Sequence, residues 1–537
     1  MKKSKRLSII AIAAACMTQS CTGNFLDYNT DKNQVTGDEL ERGGYNVGSA
    51  LMSIESYVVP VGLYLNQFVE WLCGGAYSGY WGADQEWGGK FSTYNAPPDW
   101  NLSPFNDVIG GFYPSYDLLK TVTNDPVVLA IGDICRVASM QRVTDMIGPI
   151  PYTQMRSNAN GDNEVNSDGQ FKGTMFAAPY DSQEDVYKAL LTDLNAAIDQ
   201  LMKNRLAETA WFAKYDKVYN GDVENWIRFA NSLKLRMAIR MSYVAPELAR
   251  QTAEEAVSQP IGVITANSQN AIRQVDTNPM YTMAIGSWKQ MKAGADLISY
   301  MSGYNDPRLP IYFTPCTYKE HETEYAGIRN GIAISIKYPE TSDPTFTKTT
   351  PMPWFTASEV AFLKAEGVLR GWSMGGSTAG ELYNKGITLS FEQDGLSGAT
   401  DYLNNETLKP AAYNCWNTSI PGYAALGFAP QSDITIKWND KDTDEKKLER
   451  IITQKWIAIY PLSNEAWAEF RRTGYPKLAP IVDNRSGGMV PQGEFPKRIL
   501  FSTTEYQNNT QNVEKAIGLL GGPDTQNTKL WWDAKNN

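Results

Sequence analysis

Apolar side chains recur at the three- and four-residue steps of a helix over several separate stretches, and this periodicity constrains the fold more than any other feature of the chain. From Asp181, with Glu184 three residues on as a capping box, Val186, Leu190, Leu194, Ile198 and Leu201 fall on one helix face. Trp226, Phe229, Ala230, Leu233 and Met237 repeat the pattern. Arg228, Lys234 and Arg236 take the positions between, which predicts an amphipathic helix with a charged outer face. A third helix starts at Thr356, where Glu359 completes a capping box ahead of Val360, Leu363 and Leu369. A fourth passes through Ile452, Trp456 and Ile459 and resumes beyond a turn at Pro461 with Trp467 and Phe470. Further helices are predicted near 38–58, 126–147, 247–258, 288–301, 380–391 and 510–519, with few and short strands. The expected class is mostly α. No Pro/Ser-rich linker or long charge run divides the chain, which predicts one large body, and the spacing lacks a clean tetratricopeptide signature.

Aromatic residues, 12% of the chain, crowd the stretch from Tyr57 to Trp100. Tyr57, Tyr64, Phe68 and Trp71 lie at helical spacing and are expected in the core. From Gly74 onward the pattern changes: Gly74-Gly75, Gly79, Gly82 and Gly88-Gly89 disfavour helix and predict a loop that presents large rings. A sugar ring offers an apolar C–H face bordered by hydroxyls, so its receptor needs flat rings beside amides or carboxylates. Tyr77, Tyr80, Trp81, Trp87 and Tyr94 are the candidate surfaces, and Asp84, Gln85, Glu86, Asn95 and Asp99 the candidate hydrogen-bonding groups. A second aromatic group, Tyr281, Trp288, Tyr300 and Tyr304, follows; Tyr281 and Trp288 are its candidate ligand contacts. A peptide would be recognised by much the same groups, and the bland alternative is that the rings pack beneath neighbouring loops or against another protein.

The N-terminus reads as an export signal, because Lys2, Lys3, Lys5 and Arg6 precede the apolar run Leu7 to Ala15, too short to span a bilayer. Residues 1–20 are expected to form a signal peptide and 21–36 a lipidated start and tether, with a single domain over 37–537. Cys21 is the expected lipid attachment; Cys16, inside the apolar run, is the other candidate, and Thr18 and Gln19 depart from the common lipobox. The balance of 49 basic and 59 acidic residues gives a net charge of −10, which argues against nucleic acid as a partner. The one histidine, His321, lies among Lys319, Glu320 and Glu322 and predicts a solvated loop, leaving His-centred catalysis or metal binding a single possible centre. Glu164, Asn166, Asp168 and Gly169 echo a calcium loop, but Met175 stands where the bidentate Glu belongs. Neither a catalytic residue, a cofactor nor a metal ion is assigned, and Cys73, Cys135, Cys316 and Cys415 have no CxxC spacing.

Several ordered segments carry a resemblance. They are Cys21 with Phe25 to Asn33; Val143 to Tyr152, ending in Gly148-Pro149-Ile150-Pro151-Tyr152; Asn305 to Pro310; Glu359 to Glu366; and Gln454-Lys455-Trp456 through Trp467 to Arg471-Arg472-Thr473-Gly474-Tyr475-Pro476. Pro496-Lys497-Arg498 and Glu505 to Asn509 complete the set. Together the segments resemble the SusD/RagB family of outer-membrane nutrient-binding lipoproteins, in its SusD-like branch; Lys32 stands where that family usually has proline. The resemblance implies a superhelix of tetratricopeptide-like helix pairs with elaborated ligand-binding loops, and a lipid anchor in an outer membrane, facing the cell surface. It also implies a SusC-like TonB-dependent transporter as partner, fed with an oligosaccharide or, in other members, a peptide. The matching segments themselves suit scaffolding: Arg308 as a turn clamp, Tyr152 and Tyr475 as tucked phenols, Arg471 and Arg472 as partners of carboxylates such as Glu359 or Glu366. An extracellular glycan hydrolase with a carboxylate pair, and an adhesin, are the readings outside this family.

Overall fold

A computed structural model describes residues 44–85, 87–155, 178–332 and 337–535. The signal sequence, Cys21, the tether with its Phe25 to Asn33 motif, Glu86 and the acidic 162–169 segment lie outside these residues. The longer helices are α1 (Tyr45–Glu55), α2 (Val108–Val122), α3 (Pro126–Ile147), α4 (Gln183–Lys203), α5 (Val223–Arg240), α6 (Pro246–Ser258), α7 (Ala357–Leu369), α8 (Ala379–Gln393), α9 (Asp444–Ala458), α10 (Ser463–Thr473) and α11 (Thr510–Leu520). Chain neighbours pack as pairs, α1 with α2, α3 with α4, α5 with α6 and α7 with α8, and α9 lies against α7. The chain is mostly helical, as the periodicity predicts. Four short strands make two antiparallel two-stranded sheets, β1 (Trp81–Ala83) with β3 (Met291–Ala293) and β2 (Ala271–Arg273) with β4 (Met352–Phe355). Among the described residues no helix is long and apolar enough to cross a membrane.

Polar caps explain where these helices begin. Asp125 accepts from the amides of Val127 and Val128, with Pro126 in the first turn of α3. Thr378 and Glu381 form a reciprocal capping box on α8. At α4 the cap is Ser182, which accepts from Asp185 N at 3.1 Å; Asp181 instead takes the amides of Tyr152 and Thr153, so the cap lies one residue beyond the expected Asp181 and no capping box with Glu184 forms. At α7, Thr356 caps Glu359 N at 3.2 Å, but the Glu359 carboxylate turns inward to Arg236. The helix expected over 288–301 is a strand followed by a helix at Ala295–Gly303.

Of the cations expected on the outer face of α5, Arg228 stays partly exposed and pairs with Glu224 at 3.2 Å, whereas Lys234 and Arg236 are buried, as is Arg240. Helices pack on several of its sides, and Arg236 and Arg240 enter an ionic lattice linking five helices, while Lys234 pairs with Glu255 of α6. Arg236 meets Glu359 at 2.7 Å, Arg240 meets Glu465 at 2.6 Å, Glu469 at 2.9 Å and Asp145 at 3.3 Å, and Arg472 meets Glu366 at 2.6 Å and Glu469 at 2.7 Å. Lys455 lies 3.3 Å from Glu465 and 3.5 Å from Glu469. Burial alone would raise the Glu469 carboxyl, but Arg472, Lys455 and Arg240 outweigh it and hold the group well below the ordinary carboxylate range. The scaffolding roles expected of the sequence motifs are thereby located. Arg308 clasps Asp306 through two bonds of 2.9 and 2.6 Å, Tyr152 donates to Asp193 and Tyr475 to Glu445, each at 2.7 Å. Arg471 differs: it donates to the backbone carbonyls of Asp145 and Lys497 and lies over the Trp467 ring.

Candidate functional site

Pairing of β1 with β3 brings together the two aromatic groups that are distant in sequence. Trp81 faces Ala293 and Ala83 faces Met291 in this register, and Asp84 N continues the ladder to Gln290 O at 2.8 Å. Ahead of β1, a short helix, Leu63–Asn66, runs into a π-helical stretch, Gln67–Gly75. The buried Glu70 of that stretch pairs with Arg142 and accepts from Asn464. Ahead of β3, the helix Pro279–Ala284 is capped by Asn278, and Trp288 N returns to Thr282 O at 3.2 Å. Lys289, in the left-handed region at φ 56°, then turns the chain into the strand.

This arrangement inverts the expected division between core and loop. Tyr64, placed in the core by its spacing, is 68% exposed, whereas Tyr77, Tyr80, Trp81 and Tyr94 are interior packing residues, with Trp81 at 1%. Tyr80 donates to the Trp456 carbonyl, Trp81 Nε1 reaches Ser463 Oγ at 3.2 Å, and Tyr77 packs on Trp467 at 4.8 Å between ring centres. Gly75 and Gly82 serve close packing, whereas Gly88 stands in open space. A Cβ on Gly75 would stand 2.3 Å from the Trp81 ring, and one on Gly82 would stand 2.4 Å from Ile328 Cβ. The polar candidates are largely consumed as well. Asp84 is buried, binds Tyr338 N, and has its carboxyl raised by burial against that hydrogen bond and Lys292. Asn95 closes its own loop by accepting from Thr93 Oγ1 at 2.7 Å and Lys90 N at 3.2 Å. Tyr300 and Tyr304 are buried, each donating to a backbone carbonyl.

A partly exposed aromatic strip remains, and it crosses both groups. Trp288 lies 5.7 Å from Tyr64; one helical turn on, Phe68 lies 5.4 Å from Trp100, and Trp87 meets Trp100 edge-on at 5.3 Å. Beside Trp87 and Trp100 the surface dips into a hollow of about 20 Å³ edged by Lys90, Ser92 and Asn330. Gln85 and Tyr281 are half-buried. Of the expected contacts, then, Gln85, Trp87, Asn95, Tyr281 and Trp288 keep access to solvent, and Tyr64 and Trp100 join them. Their aromatic density was visible in sequence; their exposure was not.

Another open hollow, of about 490 Å³, has Ser302, Asn305, Glu324, Tyr325, Asn414 and Trp416 in its wall. His321 lies in a solvent-exposed turn, as its charged neighbours predict; its ring stacks on Trp416 at 4.0 Å and 5°, and Nδ1 lies 2.9 Å from Glu324 Oε1. Among the described residues no cluster of His, Cys, Asp and Glu has the makings of a metal site. The four cysteines in these residues are separate buried thiols.

Paired helices on an ionic lattice, with partly exposed aromatic rings beside the β1–β3 pair, define a helical scaffold protein. The comparisons make the class specific. The SusD-like family model, described as Susd and RagB outer membrane lipoprotein, matches residues 27–533. A SusD homolog from Bacteroides thetaiotaomicron is 39% identical, covers 91% of this chain and 99% of its own, and superposes with a TM-score of 0.83. A SusD homolog from Bacteroides uniformis gives 39%, 91%, 100% and 0.82. A chitin-binding SusD homolog from Flavobacterium johnsoniae is 34% identical, with 91% and 99% coverage and a TM-score of 0.83. None of the curated proteins searched matches. The chain belongs to the SusD-like family of outer-membrane lipoproteins.

Proposed function

We propose that this protein captures an oligosaccharide at the outer surface of an outer membrane and passes it to a SusC-like TonB-dependent transporter, acting as a binder and not as a hydrolase. The observation that carries the reading is the strip from Trp288 and Tyr64 through Phe68 and Trp100 to Trp87. Successive rings with access to solvent match the repeated apolar faces of a linear glycan. Gln85, Ser92 and Asp99 flank the rings and supply hydrogen-bonding groups. The likeness to a chitin-binding relative supports the carbohydrate class. Attachment through lipid on Cys21, after removal of residues 1–20, keeps the domain beside its transporter.

Calorimetry against chitin oligosaccharides, other oligosaccharides and a peptide panel tests the reading. Binding of an oligosaccharide without product formation is expected, and Tyr64→Ala and Trp288→Ala are each expected to weaken it by about 1–3 kcal/mol. Hydrolysis of the bound glycan, or binding confined to the peptides, overturns it. In cells, Cys21→Ala is expected to move the protein out of the membrane fraction.

A further inference from the structure

We propose that the hollow beneath the turn Tyr460 to Leu462 is a second ligand site, separate from the aromatic strip, which takes a compact aromatic amine with its ammonium group at Asp394 and Tyr460. The hollow has a volume of about 430 Å³ and lies between the 279–284 and 309–312 helices, β4 and the end of α8. That volume is in the range of small-molecule pockets, about 300–1,000 Å³. Its wall is mostly apolar, with Val59, Met280 and Met352 among its side chains, so a free sugar covered in hydroxyls would leave donors and acceptors unmet there.

Three features select the class. First, Tyr460 lines the hollow and is 7% exposed, and its buried hydroxyl has no hydrogen-bond partner among the described residues. An unmet buried hydroxyl destabilises the fold unless a ligand completes it. Second, Tyr312 and Tyr460 stack at 4.4 Å and 17°, and Phe346 lies nearly parallel to Tyr460 at 6.2 Å and 4°, giving flat ring faces beside the opening. Such faces attract both an aromatic body and a cation. Third, among the described residues Asp394 is the one carboxylate in the wall, and neither Lys nor Arg lines it. One Asp394 oxygen accepts from Tyr312 Oη at 2.9 Å. The nearby Arg308 is held by Asp306 and makes no hydrogen bond to Asp394, but its charge favours the ionised Asp394 carboxylate. Burial raises the Asp394 carboxyl to about 6, which leaves it ionised at neutral pH.

Three indole probes of similar size separate head group from body: tryptamine, the neutral alcohol tryptophol and the anion indole-3-propionate, titrated at pH 7.5 into the whole protein by calorimetry. Tryptamine is expected to fill one site at least about tenfold more tightly than either analogue. Asp394→Asn keeps the acceptor for Tyr312, so the fold is retained, and is expected to remove that preference. Tyr460→Phe is expected to weaken tryptamine about threefold or more while raising the melting midpoint of the ligand-free protein, because the unmet hydroxyl is gone. Failure of tryptamine to saturate a site, equal affinity for the three probes, or an Asp394→Asn variant that still prefers the amine overturns the proposal. Trp288→Ala, on the strip, is expected to leave tryptamine binding unchanged; a parallel loss there would make the two sites one.

Discussion

Trp81 and Trp288 are the same side chain in opposite circumstances. Trp81 is enclosed by Phe313, Phe346 and Tyr460 and hydrogen-bonded to Ser463, so Trp81→Ala is expected to lower stability by about 3–5 kcal/mol, read from the urea midpoint. Trp288→Ala acts at the surface and is expected to leave that midpoint nearly unchanged while weakening glycan binding. Asp296 shows what burial does to a single charge. It accepts from Ala479 N at 2.7 Å, yet burial, partly offset by that bond, raises its carboxyl to about 6. The folded protein therefore holds this proton more tightly than the unfolded chain. The resulting stability is complete below about pH 4 and lost as pH rises through about 6, roughly 2–3 kcal/mol in all. In Asp296→Asn this loss should vanish, which denaturation at pH 4 and pH 7 would check.

Among the elements, β1 and β3 are only three residues each, yet their pairing decides where the aromatic strip runs. The pairing depends on the close approach of residues 327–328 to β1 and β3. Ile328 N donates to Ala293 O at 2.8 Å, and Ile328 packs directly over Gly82. Gly82→Ala is expected to cost about 1–3 kcal/mol, because the obstructing atom is a branched Cβ with little room to yield, and calorimetric melting would show it. The helices were far more legible. The helices expected near 126–147 and 380–391 match α3 and α8 almost to the residue, since helix-forming pattern is local. The glycine-rich segment misled for the opposite reason: glycine permits both a mobile turn and a tight contact. Local sequence does not say which, because the partners Ile328, Ser463 and Asn464 lie hundreds of residues away.

Across the whole molecule the helices are joined by the ionic lattice of Arg236, Arg240, Lys455 and Arg472 with Glu359, Glu366, Glu465 and Glu469. Each member is buried, so removing one charge strands its partners in a medium that solvates them poorly. Glu469→Gln is expected to lower stability by about 3–5 kcal/mol, measured by urea unfolding at pH 7. The lattice also sets acid behaviour. The Glu366, Glu465 and Glu469 carboxyls are held below their ordinary range, so their contribution is present above about pH 4.5 and is lost as acid protonates them.

The sequence by itself determined that the chain is mostly helical, where most helices begin, and to which family it belongs, because caps, apolar periodicity and ordered motifs are written in neighbouring residues. Tertiary structure alone decided which aromatic rings meet solvent, that Lys234, Arg236 and Arg240 of α5 are buried, and where hollows open. Each of these depends on surfaces contributed by distant segments, and burial is a property of what packs against a residue rather than of the residue itself.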